Sequence, residues 1–338
     1  MSELRRNPTD NRWVIIAPKR GHRPHEVQSQ LSPSVQALPF DPTCPFCPGN
    51  EPKLPGIIAE MRSAPKPGWR TRVVPNKFPA VDCDVAHCEQ GQAFYETTSG
   101  RGFHEVLIES PRHDRDITFM SEEEVRDVLA TYLSRYQALM SEAAVRSVIV
   151  FRNHKSVAGA SLQHPHSQAI ALYTVPPHVR AREAAMLTYY QREEHCLLCE
   201  MIAHERNDGS RVVSENEAFV TTVPFAASTP CEMWLLPTRH QADFGGLRGD
   251  EVKLLAIALR SALIRLGGAL NDPPYNYVID TAAKDGSGAP HLHWCLRIVP
   301  QLTRPAGFEL GSDLSINPSL PEEDAAMLRS SPPAITET

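Results

Sequence analysis

The sequence predicts an α+β fold in which one antiparallel sheet-and-helix unit occurs twice. Strand-like runs alternate with two amphipathic helices, each helix follows a similar Arg-His segment, and a cysteine pair opens each half. The chain has 338 residues, of which 41% are hydrophobic and 22% are charged. This composition is ordinary for a globular protein, and the length suits two domains.

The predicted strands are short apolar runs rich in β-branched and aromatic residues. They cover residues 14–16, 106–108, 148–151, 169–172, 219–223, 233–236, 277–279 and 294–299. A helix is predicted over residues 121–142, where Ser121 and Glu124 match a capping box. A second helix is predicted over residues 250–266, with Gly267 and Gly268 as its end.

The two halves are aligned by their histidines. HEVLIESPRH ends at His113 before the first helix, and CEMWLLPTRH ends at His240 before the second. Fifty-one residues then separate His113 from His164, and the same number separates His240 from His291. We therefore predict halves at residues 1–178 and 179–320, with the boundary near residues 176–194. Residues 321–338 lose apolar periodicity, and we expect a flexible tail there.

Each half offers a Cys-x-x-Cys pair and two separated histidines, which is a ligand set that suits tetrahedral zinc. The two sets are Cys44, Cys47, His113 and His164, and Cys196, Cys199, His240 and His291. Four protein ligands leave no open position for substrate, so a structural role is expected. The expected ions are Zn²⁺ in the first site and Zn²⁺ or Fe²⁺ in the second. Glu183 is an alternative ligand near the second site, and metal-free thiols are the alternative for both.

The segment Gln163-His164-Pro165-His166-Ser167-Gln168 carries the candidate chemistry. Alternation along a strand sends His164, His166 and Gln168 to one face. A neutral His166 beside a metal-held His164 can attack phosphorus, and the Gln168 amide can hydrogen-bond phosphoryl oxygens without acting as a base. Upstream, Gly159, Ala160 and Ser161 are small residues that would let a phosphate approach the backbone. The alternative is that His166 is a third metal ligand or a packed strand residue.

Charge and composition exclude several other classes of protein. The formal net charge is −6, which argues against a general grip on nucleic acid and against a DNA-binding zinc protein. No apolar run is long enough to span a membrane, and the N-terminus lacks the features of a secretory signal. With eight cysteines and no export signal, we expect a cytoplasmic protein with reduced thiols.

The motif HPHSQ resembles the nucleotidyltransferase branch of the histidine-triad superfamily. Within that branch, the segments RRNPTDNRWVIIAPKRGHRP, CPFCPG, VVPNKFPA, ESPRH, FRNHKSVAGASLQHPHSQ and LLPTRH follow the order typical of galactose-1-phosphate uridylyltransferases. This resemblance covers roughly residues 5–300. It implies a duplicated histidine-triad (HIT-like) fold and a homodimer.

The resemblance also implies a ping-pong reaction on UDP-glucose and a hexose 1-phosphate. His166 would take the uridylyl group from UDP-glucose, release glucose 1-phosphate, and pass the group to galactose 1-phosphate. Gln168 would steady the charged phosphoryl group. The substrate-binding positions that match the family are Arg20, Arg23, Asn76, Lys77, Asn153, Gly159 and Ser161.

Two departures from the family leave alternatives open. Cys196 and Cys199 stand where the better-known uridylyltransferases use a glutamate with three histidines, and this is similar to ADP-glucose phosphorylases. Gly307-Phe308 stands where the family has lysine-phenylalanine. The alternatives are an NDP-sugar phosphorylase that works through a nucleotidyl-His166, and a non-catalytic zinc-stapled nucleotide-binding protein. By the duplication, His293 would occupy the position of His166 in a degenerate copy.

Overall fold

The computed structural model describes residues 1–22, 38–62, 68–86, 88–92, 94–302 and 305–331. Its strands are β1 (Glu3–Arg6), β2 (Trp13–Ile16), β3 (Ala59–Arg62), β4 (Trp69–Pro75), β5 (Glu89–Gln92), β6 (Tyr95–Thr98), β7 (Gly102–Ile108), β8 (Ser147–His154), β9 (His166–Leu172), β10 (Val212–Glu215), β11 (Phe219–Thr222), β12 (Met233–Pro237), β13 (Tyr275–Asp280), β14 (Cys295–Pro300) and β15 (Ser315–Asn317). Its helices are α1 (Glu122–Ser141), α2 (Pro177–Glu193), α3 (Leu197–Asp208), α4 (Gly249–Leu270), α5 (Gly307–Ser312) and α6 (Pro321–Ser330).

Within these residues, ten strands form one sheet in the order β10-β11-β12-β14-β13-β8-β9-β7-β4-β3. Every neighbouring pair in it is antiparallel. The first half supplies β3, β4, β7, β9 and β8, and the second half supplies β10, β11, β12, β14 and β13 in the mirrored order. The two halves meet where β8 pairs with β13, so Asn153 lies opposite Asn276. The predicted α+β fold and its internal duplication are confirmed.

The core lies between this sheet and the paired helices α1 and α4, which pack against each other. Both helices bury one apolar stripe at helical spacing. In α1 the buried residues include Val125, Val128, Leu129, Tyr132 and Tyr136. In α4 they include Val252, Leu255, Leu259, Leu263 and Leu266.

The predicted elements are confirmed for the most part. The eight predicted strands correspond to β2, β7, β8, β9, β11, β12, β13 and β14, with small shifts at their ends. The first predicted helix is α1, and Ser121 and Glu124 form the expected capping box. The second is α4, but it continues through Gly267 and Gly268 to Leu270, because Asn271 in the left-handed conformation ends it instead.

The predicted flexible tail needs correction. Residues 321–330 form α6, in which Ala325 and Leu328 are buried against the core, so this part of the tail is ordered. The region of the predicted boundary, residues 176–194, contains α2, which lies between β9 of the first half and β10 of the second. Sequence periodicity was weak in both segments because each buries only a few apolar residues on a mostly polar helix.

A second, smaller sheet of described strands joins the two ends of the chain in the order β1-β2-β15. β15 runs parallel to β2, and Ile316 lies opposite Ile15. The N-terminal and C-terminal segments therefore form one structural unit. No helix among the described residues has the length and apolarity needed to cross a membrane.

Candidate active site and metal centres

The first cysteine and histidine set comes together as predicted. Cys44 and Cys47 lie in the turn before β3, His113 follows β7, and His164 precedes β9; all four side chains are buried. The Nδ1 atom of His164 lies 3.7 Å from Cys44 Sγ and 3.6 Å from Cys47 Sγ, and His113 Nδ1 lies 3.5 Å from Cys47 Sγ. Burial raises the pKa of the Cys44 thiol to about 11 and lowers the pKa of His164 to about 4.

The second set has the same geometry with one different member. Cys196, Cys199 and His240 gather around His293, with His293 Nδ1 at 3.4 Å from Cys199 Sγ and 3.7 Å from Cys196 Sγ. His240 Nδ1 lies 3.5 Å from Cys199 Sγ. Hydrogen bonding from the Cys199 thiol lowers the pKa of Cys196.

The prediction of His291 in this set is corrected by the structure. His293 Nε2 hydrogen-bonds the Pro237 carbonyl at 3.0 Å, as His164 Nε2 does the Ser110 carbonyl at 2.8 Å, so His293 is the equivalent of His164. His291 instead lies beside Tyr190, with ring centroids 6.2 Å apart. The equal spacing misled because the connection before β14 (residues 281–294) is longer than the one before β9 (residues 155–165).

Both clusters fit a tetrahedral metal ion. With Zn–S about 2.3 Å and Zn–N about 2.0–2.1 Å, such an ion places sulfur and nitrogen ligands about 3.6 Å apart. The sulfur–nitrogen distances in the first cluster are 3.5–3.7 Å and those in the second are 3.4–3.7 Å. In each cluster a backbone carbonyl binds the outer nitrogen of one histidine and orients its ring.

His166 is the first residue of β9, two positions after the ligand candidate His164. Its Nδ1 lies 2.8 Å from the His164 carbonyl oxygen, which can only accept, so Nδ1 carries the proton and Nε2 carries the lone pair. Phe46, from the Cys-x-x-Cys turn, packs edge-on against the imidazole at 5.4 Å. Burial lowers the pKa of His166, which keeps the ring neutral.

The alternative that His166 is a third metal ligand finds no support in this arrangement. His166 is absent from the cluster of ligand atoms formed by Cys44, Cys47, His113 and His164. Its Nδ1 is committed to a backbone carbonyl. The side chain is therefore a fixed, neutral imidazole with one free basic nitrogen.

Gln168 lies on the same face of β9, and two side chains contact its amide oxygen. His104 Nε2 lies 2.7 Å from Gln168 Oε1, and Asn76 Nδ2 lies 3.4 Å from it. Asn76, which the resemblance predicts as a binding residue, thus contacts Gln168. His104 was not predicted from the sequence, although this residue alternates along β7 with Val106 and Ile108 and so shares their face of the strand.

The small-residue segment after β8 forms a tight loop beside Asn153. Gly159 adopts a φ of 96° that favours glycine, and its amide donates to the Ser156 carbonyl at 3.0 Å. The Ala160 amide likewise donates to the Lys155 carbonyl at 3.1 Å. These two amides are therefore engaged within the loop, contrary to the expectation that they face a phosphate; Ser161 is exposed.

Asn153 supports this loop together with Asn276, which was not predicted from the sequence. Asn276, opposite Asn153 on β13, donates from Nδ2 to Asn153 Oδ1 at 2.7 Å and to the Ala158 carbonyl at 2.8 Å. The second half of the chain thus supports a loop of the first half. The sheet junction that creates this contact was not visible in the sequence.

The remaining predicted residues lie elsewhere. Arg20 is exposed and lines a groove with Ser2, Ile15, Ala17, Phe308 and Glu309. Lys77 is exposed next to Asn76, and Arg23 lies outside the described residues. Glu183 is not a member of the second cluster; it accepts a hydrogen bond from the Ala283 amide at 2.8 Å.

The second half keeps the cluster but lacks the candidate nucleophile. Because His293 matches His164, the residue that matches His166 is Cys295 and not His293. Cys295 is buried, and burial raises its pKa to about 12. Side chains of α2, among them His178 and Met186, line the space beside it. The residue at the position of His166 in the second half is therefore Cys295, where His293 was predicted from the sequence.

Comparisons with known proteins agree with this fold and site. A family model described as the N-terminal domain of galactose-1-phosphate uridyl transferase matches residues 1–176. The chain is 36% identical to ADP-glucose phosphorylase of Arabidopsis thaliana, over 97% of this chain and 92% of that protein. It is 27% identical to the galactose-1-phosphate uridylyltransferase of Thermotoga maritima, over 97% of this chain and 98% of that protein.

Solved structures give the same grouping. The crystal structure of the Arabidopsis thaliana ADP-glucose phosphorylase with bound ADP-glucose has a TM-score of 0.85 at 34% identity, and 98% of each chain is covered. A uridylyltransferase structure has a TM-score of 0.76 at 27% identity, with 98% of each chain covered. Fold and site define a duplicated histidine-triad-like protein. The chain belongs to the galactose-1-phosphate uridyl transferase family.

Proposed function

We propose that this chain is a nucleotidyltransferase that takes a nucleotidyl group from a nucleotide sugar onto His166. The observation that carries the proposal is the hydrogen bond from His166 Nδ1 to the His164 carbonyl. It leaves Nε2 as a basic nitrogen on a buried, neutral ring whose direction is fixed. Such a nitrogen is a nucleophile for phosphorus.

In the first step, His166 Nε2 attacks the α-phosphorus of the donor. A P–N bond forms, the bond from the α-phosphorus to the bridging oxygen breaks, and the sugar 1-phosphate leaves. The Gln168 amide nitrogen faces away from His104 and is available to donate to the phosphoryl oxygens. A neutral donor stabilises the developing charge without taking the proton that a base would remove.

In the second step, an acceptor phosphate attacks the same phosphorus from the side opposite His166 Nε2, which is the side that the first leaving group vacated. The P–N bond breaks, and the electron pair returns to Nε2, so the neutral imidazole is regenerated. No net proton transfer to His166 is required. Leaving group and acceptor both carry a phosphate, so one pocket serves both in turn, which is the basis of ping-pong kinetics.

The predicted function is UDP-glucose–hexose-1-phosphate uridylyltransferase, with UDP-glucose as donor and galactose 1-phosphate as acceptor. It is supported by the family model and by the uridylyltransferase relatives, which align with the chain over nearly its whole length. On this basis the enzyme acts in galactose metabolism. The resemblance extends the proposal to a homodimer in the cytoplasm, where the cluster thiols stay reduced.

A specific observation favours a second candidate, an NDP-sugar phosphorylase of the ADP-glucose type. Both sequence identity and TM-score are higher for the Arabidopsis thaliana ADP-glucose phosphorylase than for the uridylyltransferases reported above. In this candidate an adenylyl group is carried on His166, and inorganic phosphate accepts it. The chemistry at His166 and Gln168 is the same in both candidates.

Two metal ions belong to the proposal as structural elements. Cys44, Cys47, His113 and His164 would hold Zn²⁺, and the second cluster, with His293, would hold Zn²⁺ or Fe²⁺. A bound ion supplies a rigid tetrahedral cross-link and no open position for substrate. His164 then anchors the backbone that presents His166, two residues further along.

The test is a burst experiment with each donor alone. Protein is mixed with UDP-glucose or with ADP-glucose, and the released glucose 1-phosphate is counted against the protein. We expect about one equivalent per chain with the true donor, followed by turnover only when an acceptor is added. UDP-galactose formed with galactose 1-phosphate supports the uridylyltransferase, and ADP formed with phosphate supports the phosphorylase.

The control is the His166→Asn variant, which retains a polar side chain but no nucleophilic ring nitrogen. It should give no burst with either donor. A non-catalytic nucleotide-binding protein would bind the donor and release no glucose 1-phosphate in either form. That result, obtained with metal-replete protein, would refute the proposed function.

A further inference from the structure

The amide of Gln168 is held by hydrogen bonds that begin in the loop after β4. The Ala80 amide donates to His104 Nδ1 at 3.0 Å, and His104 Nε2 lies 2.7 Å from Gln168 Oε1. His104 and Gln168 share one face of neighbouring strands, because His104 pairs with Ile170 and Gln168 pairs with Val106. The imidazole therefore bridges a backbone amide and the side chain beside the nucleophile.

The bridge fixes which nitrogen of His104 carries the proton. A backbone N–H can only donate, so His104 Nδ1 must accept and is unprotonated. The proton then lies on Nε2, which donates to Gln168. Because His104 Nε2 donates, the Gln168 atom that faces it must accept. That atom is the carboxamide oxygen, Oε1.

A second donor points at the same oxygen. The Phe78 amide donates to Asn76 Oδ1 at 2.9 Å, which leaves Asn76 Nδ2 3.1 Å from His104 Nε2 and 3.4 Å from Gln168 Oε1. Because His104 Nε2 carries its own proton, only the Gln168 oxygen can accept from Asn76 Nδ2. The loop of residues 76–80 thus fixes both Asn76 and His104 through its own backbone. Both side chains present a hydrogen to one oxygen, and the Gln168 nitrogen is left on the opposite side.

We propose that His104 is a positioning residue for nucleotidyl transfer, which holds the Gln168 amide with its nitrogen toward the phosphoryl group. The proposal rests on the proposed function. A carboxamide has nearly the same shape after a half-turn, so packing alone does not select its direction. The reversed amide would present a carbonyl oxygen to the phosphoryl anion, and its donor would be lost.

The test is a double-mutant cycle on the rate of His166 nucleotidylation in single turnover at saturating donor. The four proteins are wild type, His104→Phe, Gln168→Ala and the double variant. We expect His104→Phe to slow adduct formation about 10-fold when Gln168 is present. In the Gln168→Ala background, the same change should alter the rate less than about 2-fold.

Rescue separates positioning from a purely structural role. In His104→Gln the amide nitrogen can reach the place of Nε2, and we expect the rate to return to within about 3-fold of wild type. Metal content and circular dichroism of each variant check the fold. An equal rate loss from His104→Phe in both backgrounds, or no loss in either, would overturn the inference.

The failure of the proposed function gives a different result. If the wild-type protein forms no adduct with any nucleotide sugar, then the nucleotidyltransferase proposal fails and His104 has no transfer step to support. If the wild type forms the adduct and the cycle is additive, then only the role of His104 fails.

Discussion

His166 and the cluster ligands illustrate how backbone carbonyls set the chemistry of individual histidines. The His164 carbonyl binds Nδ1 of His166, whereas the Ser110 carbonyl binds Nε2 of His164. The two rings therefore expose opposite nitrogens, although they stand two residues apart on one segment. In the proposed function His166 uses Nε2 to attack the substrate, whereas His164 Nδ1 lies against the cysteines of the first cluster.

The corrected second cluster gives the most direct prediction for single residues. His293→Ala should lower the bound metal from about two ions to about one ion per chain, because it removes the histidine that contacts both Cys196 and Cys199. His291→Ala is the matched control and should retain both ions. Metal content is measured by inductively coupled plasma mass spectrometry on protein purified without chelator. Loss of an ion from His291→Ala alone would contradict the assignment.

At the level of elements, α6 forms part of the core. It lies beside α4 and β10, and Leu328 on its inner face is fully buried. Asp324 accepts a hydrogen bond from the Cys231 amide at 2.9 Å. Residues 321–330 thus cover the edge of the second half, where the sequence predicted a flexible tail.

Truncation of one side chain tests this role of α6. Leu328→Ala should lower the free energy of unfolding by about 2–5 kcal/mol, because it leaves a cavity in the core. Met327→Ala is the neighbouring control, since Met327 is 37% exposed, and it should cost less than about 1 kcal/mol. Chemical denaturation of both variants measures the difference. Equal and small effects would show that α6 contributes little to the core.

The elements that the sequence predicted well are those whose signals are local. Ser121 and Glu124, which form a capping box within four residues, predict the start of α1. The Cys-x-x-Cys pairs predict both cysteine and histidine clusters. The predicted end of α4 was wrong because tertiary packing stabilises the helix beyond Gly267, although glycine has a low helix propensity. The prediction of His291 as a ligand was wrong because equal residue spacing does not reveal that the connection before β14 is longer than the one before β9.

The residues of the candidate site that were not predicted from the sequence make their contacts through strand pairing. His104 reaches Gln168 only because β7 lies beside β9, and Asn276 reaches Asn153 only because the two halves join at β8 and β13. Neither contact leaves a motif in the sequence. Asn76 was identified through the resemblance, and the structure gives it a contact with the Gln168 amide.

For the whole molecule, a buried polar network joins the two halves at this junction. Arg152 on β8 pairs with Glu109 at 3.0 Å and with Asp116 at 2.6 Å, and it donates to the Tyr275 hydroxyl on β13 at 2.9 Å. The Tyr132 and Tyr277 hydroxyls meet at 2.6 Å across the same junction. The ten-stranded sheet is therefore stabilised at its centre by charges that need their partners.

Removal of the central cation should weaken the whole fold. Arg152→Met leaves the fully buried Glu109 carboxylate without its cation and leaves the half-buried Asp116 with His154 alone, and we expect a loss of about 3–5 kcal/mol in the free energy of unfolding. Arg62→Met is the control, because 71% of the Arg62 side chain is exposed and its partner Glu60 keeps a second ion pair with Arg72, so less than about 1 kcal/mol is expected. A comparable effect of the two variants in urea denaturation would contradict the role of the network.

The same network gives stability a defined dependence on pH. Burial opposes the charge of His154, but the carboxylates of Asp116 and Asp272 outweigh it and raise the pKa of this histidine. A raised pKa in the folded state stabilises the protein below the unfolded value of about 6.5, and this contribution is lost as pH rises through the folded pKa. The gap in free energy of unfolding between wild type and His154→Gln should therefore be larger at about pH 6 than at about pH 9.

The control for this measurement is His204→Gln, which changes an exposed histidine on α3. The difference in free energy of unfolding between His204→Gln and wild type should stay small at both pH values. A His154→Gln gap that is constant with pH, or that grows toward pH 9, would show that the carboxylates do not stabilise the charged ring.

A covalent nucleotidyl group on His166 can be detected by mass spectrometry of the protein after it is mixed with a nucleotide sugar alone. UDP-glucose and ADP-glucose are used separately, and the modified peptide is then sequenced. We expect one uridylyl or adenylyl group per chain, located on His166, absent from His166→Asn and removed by the matching acceptor. An unmodified protein with both donors, or a nucleotidyl group on any other residue, would refute nucleotidyl transfer through His166.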